Sequence, residues 1–162
     1  MRGLKFAAIA SFSLLLVMLL MVGYLFMTAE VQVTDIRAQG TGITAEELAE
    51  IKTSIEENTF VGTLYQKPLE WKDASEYIYL DYSVKLLNNC LVPIDMIEAQ
   101  IVPQSNDILQ AGDLNVHSLD MKTEGDLKVR ILTTKDTHPI REIIVTYYVW
   151  GVSFSLKTVY GG

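Results

Sequence analysis

The first 29 residues follow a different pattern from the rest of the chain. An uncharged and mostly apolar run extends from Phe6 to Ala29, directly after the basic residues Arg2 and Lys5. A helix that rises about 1.5 Å per residue needs about 20 residues to cross a hydrocarbon core of roughly 30 Å, and this run supplies that length. The pattern therefore predicts one transmembrane helix over 6–29, which anchors the chain in a lipid bilayer.

The interior of this run suits a lipid environment. It contains no charge and no proline, so each backbone amide can bond inside the helix, as the bilayer core requires. Phe6 marks the start of the run, and Leu14 and Leu19 belong to its apolar interior. Tyr24 and Phe26 fall where an aromatic belt meets the lipid headgroups. We expect these five residues to belong to the membrane anchor.

A cleaved secretory signal peptide is the alternative. Its apolar core is shorter, about 7–15 residues, and ends in small residues at an A-x-A-like site. Here the run ends Phe26-Met27-Thr28-Ala29, in which Met27 fits the second small position poorly. A prepilin helix is a further alternative, but the acidic residue expected near its start is missing. We favour a retained anchor.

Charges on either side of the run predict its orientation. Arg2 and Lys5 precede the run, whereas the first charges after it are Glu30 and Asp35. The positive-inside rule then keeps the N-terminus in the cytoplasm. The rest of the chain is expected outside the membrane.

The predicted organisation has three parts. They are a cytoplasmic N-terminus at 1–5, a signal-anchor helix at 6–29 and one extracytoplasmic domain at 30–162. The domain contains the single cysteine of the chain, Cys90, and cannot form an intrachain disulfide. Secreted domains that are stabilised by disulfides carry even sets of cysteines, so this domain must be held together by its hydrophobic core. Such a domain suits a prokaryotic envelope better than an animal cell surface, and we therefore expect the anchor to lie in a prokaryotic cell membrane.

One amphipathic helix is predicted soon after the anchor. Thr44 and Glu47 have the spacing of a capping box. The apolar positions that follow recur at spacings of three and four, as on one buried helix face. These positions are Leu48, Ile51 and Ile55. The pattern predicts a helix over 45–58, preceded by a short strand over 31–37.

The pattern then changes to a period of two, which is typical of strands. One face of the first long strand is apolar: Ile78, Leu80, Tyr82, Val84 and Leu86. Further β-like segments, separated by turn residues, cover 94–102, 108–110, 116–121, 127–133, 140–149 and 152–160. Seven to nine strands at this spacing are typical of an antiparallel β-sandwich of the immunoglobulin type. The segments on either side of Gly151 form either a hairpin or one long strand bent at the glycine.

The stretch from Tyr82 to Ile101 resembles the LEA type 2 (water stress and hypersensitive response) domain. It contains a strand, an asparagine-containing break, a proline followed by an apolar residue, and a second strand. The break reads NNCLVP at 88–93, with asparagine and proline further apart than the family usually places them. The resemblance implies an immunoglobulin- or fibronectin-like sandwich with one short helix. It also implies a binding or protective module and supplies no catalytic residues.

Charge narrows the classes of partner. The domain outside the membrane carries 11 basic and 20 acidic residues, so its net charge is 11 − 20 = −9. We expect such an acidic domain to be a poor binder of nucleic acid. It also predicts that the domain stands off from anionic lipid. The partners expected are the bilayer itself and an envelope protein, with a second copy of the chain as an alternative.

Groups that could perform catalysis are scarce. A nucleophilic site would have to pair Cys90 with His117 or His138, and no helix N-terminus or basic cluster stands nearby to activate the thiol. Zinc-finger spacing is missing. The loop carboxylates lack the order of a calcium loop and are expected to be solvated; they are Asp107, Asp113, Asp120, Glu124 and Asp126. We expect no enzyme activity, no cofactor and no metal.

Aromatic residues on strand faces are the best candidates for a site. Tyr77 and Tyr79 share the polar face of the long strand, and Tyr148 and Trp150 point outward from a later one. Exposed aromatics bury against partner proteins or stack on sugar rings. We therefore predict a non-enzymatic, membrane-anchored interaction or scaffold protein of the cell envelope, with these four residues as its interaction surface. A module that binds a glycan or another small ligand is the alternative.

Overall fold

The computed structural model describes residues 2–113 and 115–161, and from residue 5 onward it also describes their side chains, so the Arg2 side chain lies outside the described part. The helices are α1 (Arg2–Met27) and α2 (Ala45–Glu56), and one 3₁₀ turn covers Ala74–Glu76. The strands are β1 (Val31–Gly42), β2 (Gly62–Leu64), β3 (Tyr77–Asn88), β4 (Ile94–Ile101), β5 (Asp107–Ala111), β6 (His117–Leu119), β7 (Glu124–Thr134), β8 (Arg141–Val149) and β9 (Val152–Tyr160).

The strands form two antiparallel sheets that pack face to face. The five-stranded sheet has the order β1-β3-β7-β5-β2, and the four-stranded sheet has the order β6-β4-β8-β9. Every strand pairing among the described residues is antiparallel. The predicted mainly-β sandwich with a short amphipathic helix and an N-terminal apolar helix is confirmed.

The core lies between the sheets and follows the period-two pattern. In β3 the predicted inward residues Leu80, Tyr82, Val84 and Leu86 are buried, and they pack with the inward residues of the four-stranded sheet. Those of β8 are Ile143, Val145, Tyr147 and Val149. Because alternate strand residues point to opposite faces, the remaining positions of β8 lie on the outer side of its sheet.

The helix α2 forms a third layer over part of the five-stranded sheet. Its predicted capping box is present: the Glu47 amide donates to Thr44 Oγ1 at 3.2 Å, and the Thr44 amide donates to Glu47 Oε2 at 2.8 Å. Leu48 and Ile55 are buried in a second apolar cluster with Tyr77 and residues of β5 and β7. The helix ends at Glu56 rather than at the predicted residue 58.

Several strand boundaries also differ from the predictions, and the largest difference is at β1. The strand β1 continues to Gly42, beyond the predicted end at residue 37, because β3 offers a pairing partner along its whole length, down to Gly42 opposite Ile78. The alternatives at Gly151 resolve as a hairpin. Val149 pairs with Val152 across a two-residue turn in which Trp150 and Gly151 have φ values of 49° and 79°, as tight hairpins require.

One end of the sandwich lies next to α1, and the register shows which loops meet there. Val31, the first residue of β1, pairs with Asn88, the last of β3. Ile94 at the start of β4 pairs with Leu119 at the end of β6. The loops at 89–93 and 120–123 and the turn at 150–151 therefore share this end. We name it the anchor end, and we name the opposite end, which holds Tyr77 and Arg141, the far end.

Candidate functional site

The predicted pair Tyr77 and Tyr79 does not form an exposed surface. Tyr77 is only 3% exposed, its ring centroid lies 6.0 Å from that of Trp71, and its hydroxyl accepts a hydrogen bond from the Lys72 amide at 3.0 Å. The prediction that Tyr77 is exposed is wrong, because α2 and the segment before β3 cover that face of the sheet. Tyr79 is half-buried beneath the Arg130 guanidinium, 4.8 Å from its ring centroid.

Tyr148 and Trp150 belong to two neighbouring surfaces. Tyr148 is half-exposed on the outer side of β8. Trp150 is 56% exposed in the β8–β9 turn at the anchor end, where its ring meets Phe26 of α1 edge to face at 5.7 Å. The four predicted residues therefore do not form one site, because Tyr77 and Tyr79 lie on the five-stranded sheet and Tyr148 and Trp150 lie on the four-stranded sheet and its turn.

The outer side of the four-stranded sheet carries a row of uncharged residues on β8 and β9. Three of these residues occupy alternate positions on β8: Ile144, Thr146 and Tyr148. Across the strands, Thr146 pairs with Ser155 of β9 and Tyr148 pairs with Ser153 of β9. These five residues are half-exposed or exposed. We call them the sheet face.

Charged groups border the sheet face, and one of them, Lys157, pairs with Ile144 across the strands. Asp95 and Glu98 of β4 pair with Tyr148 and Thr146 along one side. On the other side the Lys157 ammonium lies 2.9 Å from the Glu142 carboxylate. A neutral centre with a charged rim is the usual composition of a protein interface.

The outer side of the five-stranded sheet has a different character. Where α2 does not cover it, the side chains are charged and paired with each other. The Arg130 guanidinium lies 2.6 Å from the Asp81 carboxylate, which raises the pKa of Arg130 further. Lys85 pairs with Glu124 on the same side, and this contact raises the pKa of Lys85. This face is typical of a solvated surface.

A polar cleft opens between the two sheets along one edge of the sandwich. Its volume is about 370 Å³, and its walls include Glu98 and Gln100 of β4, Lys128 of β7 and His117 of β6. His117 Nε2 lies 2.6 Å from the Asp113 carboxylate. This contact, together with hydrogen bonds from Asn115, lowers the pKa of Asp113.

Gln110 forms the floor of this cleft and joins the two sheets. Its Nε2 donates to the Ala99 carbonyl at 3.0 Å, and its Oε1 accepts from the Ile101 amide at 2.9 Å and from the Tyr65 hydroxyl at 2.8 Å. The side-chain amide thus takes the place of a neighbouring strand beside β4. Burial raises the pKa of Tyr65 to about 12. The sequence analysis missed this role of Gln110, because its one signal is that a polar residue ends the apolar segment 108–110.

Asp107 was expected to be a solvated loop carboxylate, and this is wrong. It is fully buried at the far end and forms a two-point ion pair with Arg141, whose Nε and Nη2 lie 2.9 and 2.7 Å from its oxygens. The Gln104 amide also donates to it at 2.8 Å. The remaining Arg141 nitrogen donates to the carbonyls of His138 and Ile140 at 2.6 and 2.7 Å. Both charged groups are fully engaged in holding the fold.

Asn88 performs a similar structural role at the anchor end. It is completely buried, its Oδ1 accepts from the Cys90 amide at 2.9 Å, and its Nδ2 donates to the carbonyls of Val92, Leu119 and Asp120 at 3.0–3.1 Å. The asparagine at the predicted break therefore ties two loops together. Its role is structural.

The chemistry considered for Cys90 does not assemble in the described residues. Cys90 is buried, its Sγ lies 3.6 Å from the Glu30 carbonyl, and burial raises the pKa of the thiol. A thiol with a raised pKa is a poor nucleophile at neutral pH. His117 contacts Asp113 instead. Within the described residues, no group of three or more metal-binding side chains comes together.

Comparisons with known proteins found no relative of this chain. No protein-family model matches the chain, and no curated protein matches it at a significant level. The resemblance of 82–101 to the LEA type 2 domain therefore stays a prediction.

Proposed function

We propose that this protein is a non-enzymatic, membrane-anchored interaction module of the cell envelope, and that its sheet face binds a partner protein. The observation that carries the proposal is the row of accessible, uncharged residues that forms the sheet face on β8 and β9, bordered by the Glu142–Lys157 ion pair. Exposed sheet faces of solvated domains are commonly charged, as the opposite face of this sandwich is.

Composition supports a protein as the partner. Interface cores are depleted in charge and enriched in tyrosine, and their rims are polar. Tyr148 lies on β8, which runs between β4 and β9, and it has Asp95 on one side and Ser153 on the other, one residue before the end of the strand. A tyrosine that becomes fully buried on binding is a frequent hot spot. We assign Tyr148 that role.

Membrane attachment comes from α1. Lys5–Met27 is the one helix in the described part of the chain that is long and apolar enough to cross a bilayer, and none of its apolar window is buried inside the fold. Arg2 and Lys5 on the N-terminal side favour a cytoplasmic N-terminus. The sandwich then lies on the extracytoplasmic side.

Site-specific photocrosslinking in native membranes tests the proposal. A photoreactive phenylalanine analogue replaces Tyr148 of the sheet face in one variant and Ser83 in the other, where Ser83 lies on the outer side of the five-stranded sheet. We expect one discrete adduct from position 148 and none from position 83. Equal crosslinking at both positions, or none at either, would refute the assignment.

The mass of the adduct identifies the partner. An adduct of twice the chain mass of 18.2 kDa means that the partner is a second copy of this chain. Any other discrete mass means a different envelope protein. Mass spectrometry of the adduct then identifies the crosslinked peptide.

The polar cleft favours a second candidate function, the binding of a small polar ligand such as a saccharide. Its volume of about 370 Å³ suits such a ligand, and both donors and acceptors line it. Calorimetric titration with a panel of mono- and disaccharides tests this function. Binding that is lost in Glu98→Ala and kept in Ser155→Arg would support the cleft, and a panel without binding would exclude saccharides.

A further inference from the structure

We infer that the anchor end of the sandwich rests in the interfacial layer of the bilayer, with Trp150 at the level of the lipid headgroups. The inference depends on the proposed membrane anchorage of α1. It concerns where the domain lies once it is anchored. It replaces the expectation, drawn from charge alone, that the domain stands off from the membrane.

The connection between α1 and the sandwich is short. Only three residues separate α1, which ends at Met27, from β1, which begins at Val31. Four Cα-to-Cα steps of at most about 3.6 Å limit the distance from Met27 to Val31 to roughly 14 Å. It is shorter still, because the amides of Thr28 and Ala29 bond back to the carbonyls of Tyr24 and Phe26 at 3.0 and 3.2 Å.

The last turn of α1 also packs against the domain. The Phe26 ring lies edge-on to Trp150 at 5.7 Å and stacks on Phe154 at 6.4 Å. Leu25 and Ala29 are half-buried against the same core. The last turn of α1 is therefore part of the sandwich, and no flexible tether lies between them.

These contacts place Trp150 by simple arithmetic. Lys5–Met27 contains 23 residues, which at about 1.5 Å per residue makes a helix roughly 33 Å long. The hydrocarbon core is about 30 Å thick, and each interfacial layer adds about 5–8 Å. Phe26 then lies at the edge of the hydrocarbon, and Trp150 lies 5.7 Å away, within the thickness of the interfacial layer.

The side chains at the anchor end suit that layer. Four apolar residues from three separate loops or turns are about half exposed there: Leu91, Met121, Trp150 and Val152. An indole is amphipathic and favours the interface between lipid and water. The net charge of the domain opposes attraction to anionic lipid, so the contact depends on the short connection and on these side chains rather than on charge.

The two tryptophans of the chain supply a probe and its control. Trp71 packs against Tyr77 at the far end of β3. The eleven steps from Tyr77 to Asn88 along that strand separate it from the anchor end by roughly 36 Å at about 3.3 Å per residue. Trp71→Phe leaves Trp150 as the only indole, and Trp150→Phe leaves Trp71.

The experiment uses the full chain in phosphatidylcholine vesicles, with and without lipid that carries a nitroxide on its headgroup. We expect the nitroxide lipid to quench Trp150 at least twofold and to leave Trp71 unchanged. We also expect aqueous iodide to quench Trp150 less in vesicles than in the urea-unfolded chain. Trp150 emission that the nitroxide lipid leaves unchanged would overturn the inference.

A second pair of variants tests the whole end rather than one residue. In a chain in which Trp71 and Trp150 are both replaced by phenylalanine, Met121→Trp places a probe on another loop of the anchor end. Leu69→Trp places one at an exposed apolar position two residues from Trp71. Quenching of the first variant and not of the second is expected. Equal quenching of both variants, or of neither, would contradict the proposed seating.

Flotation of the same vesicles separates the two proposals. Protein that floats with lipid while its anchor-end probes stay unquenched keeps the membrane anchor and refutes the seating. Protein that stays at the bottom of the gradient refutes the anchor, and the seating with it.

Discussion

Replacing Asn88 with alanine removes the Oδ1 acceptor that binds the Cys90 amide and the two Nδ2 protons that are shared among three carbonyls at the anchor end. Two of the partner groups, the Cys90 amide and the Val92 carbonyl, lie in buried surroundings and cannot reach water easily. The carbonyls of Leu119 and Asp120 lie nearer the surface. We expect most of the loss of stability to come from the two buried groups.

The magnitude follows from those partners. A buried group left without its partner costs about 1–3 kcal/mol, and a hydrogen bond nearer to solvent contributes about 0.5–1.5 kcal/mol. Some relaxation of the loops offsets part of the sum. We therefore predict that Asn88→Ala lowers the free energy of unfolding by about 3–5 kcal/mol. For a domain of this size, that corresponds to a decrease of roughly 10–15 °C in Tm.

Thermal unfolding of the full chain in mild detergent, followed by near-ultraviolet circular dichroism, measures this effect. The matched control is Asn89→Ala, because Asn89 is half-exposed and takes part in hydrogen bonds through its backbone alone among the described residues. We expect the control to change Tm by less than about 2 °C. Equal Tm values for the two variants would refute this account of the break.

Three further predictions concern the rest of the fold. Asp107→Asn and Arg141→Met should each lower the free energy of unfolding by about 3–5 kcal/mol, because each leaves a buried partner unpaired. Urea unfolding measures this loss, and the double variant should lose less than the sum of the two single losses. Burial raises the pKa of Tyr82 to about 12, so the unfolded chain loses this proton near pH 10 and the folded chain holds it longer. Stability should therefore be full below pH 10 and fall between pH 10 and 12, as unfolding measured at each pH will show. Gly151→Ala should cost about 1 kcal/mol because φ is 79° there, and the same substitution at Gly42, which has an ordinary φ and open space around it, should cost less.

Local patterns predicted the elements whose determinants lie close together in sequence. Alternation in β3 identified the inward face from Leu80 to Leu86, because one sheet face is buried and the other is not. The capping box at Thr44 and Glu47 identified the start of α2, because it involves residues three apart.

The features that the pattern did not reveal depend on distant residues. Tyr77 is buried because α2 covers the outer side of β3, and a period of two cannot show which outer positions another layer will cover. Asp107 and Arg141 are 34 residues apart and meet only when the far end is assembled. Gln110 acts across the two sheets.

The predicted exposure of the four aromatic residues was only partly correct. Tyr148 and Trp150 are accessible, as the pattern indicated. Trp150 contacts Phe26 of α1, and aromatic spacing alone did not indicate this contact. The sheet face itself became visible only from the register of β4, β8 and β9.

One comparison tests the central claim that the sheet face binds a partner protein. Ser155 lies on the sheet face and Ser83 on the opposite face of the sandwich, so Ser155→Arg and Ser83→Arg place the same bulky charge on each side. The measurement is the mass of the complex that each full-length variant forms after extraction in mild detergent, determined by native mass spectrometry. The account predicts that the Ser83 variant keeps the wild-type complex and that the Ser155 variant is recovered free, with both retaining the wild-type Tm. A Ser155 variant that keeps the complex would contradict the account.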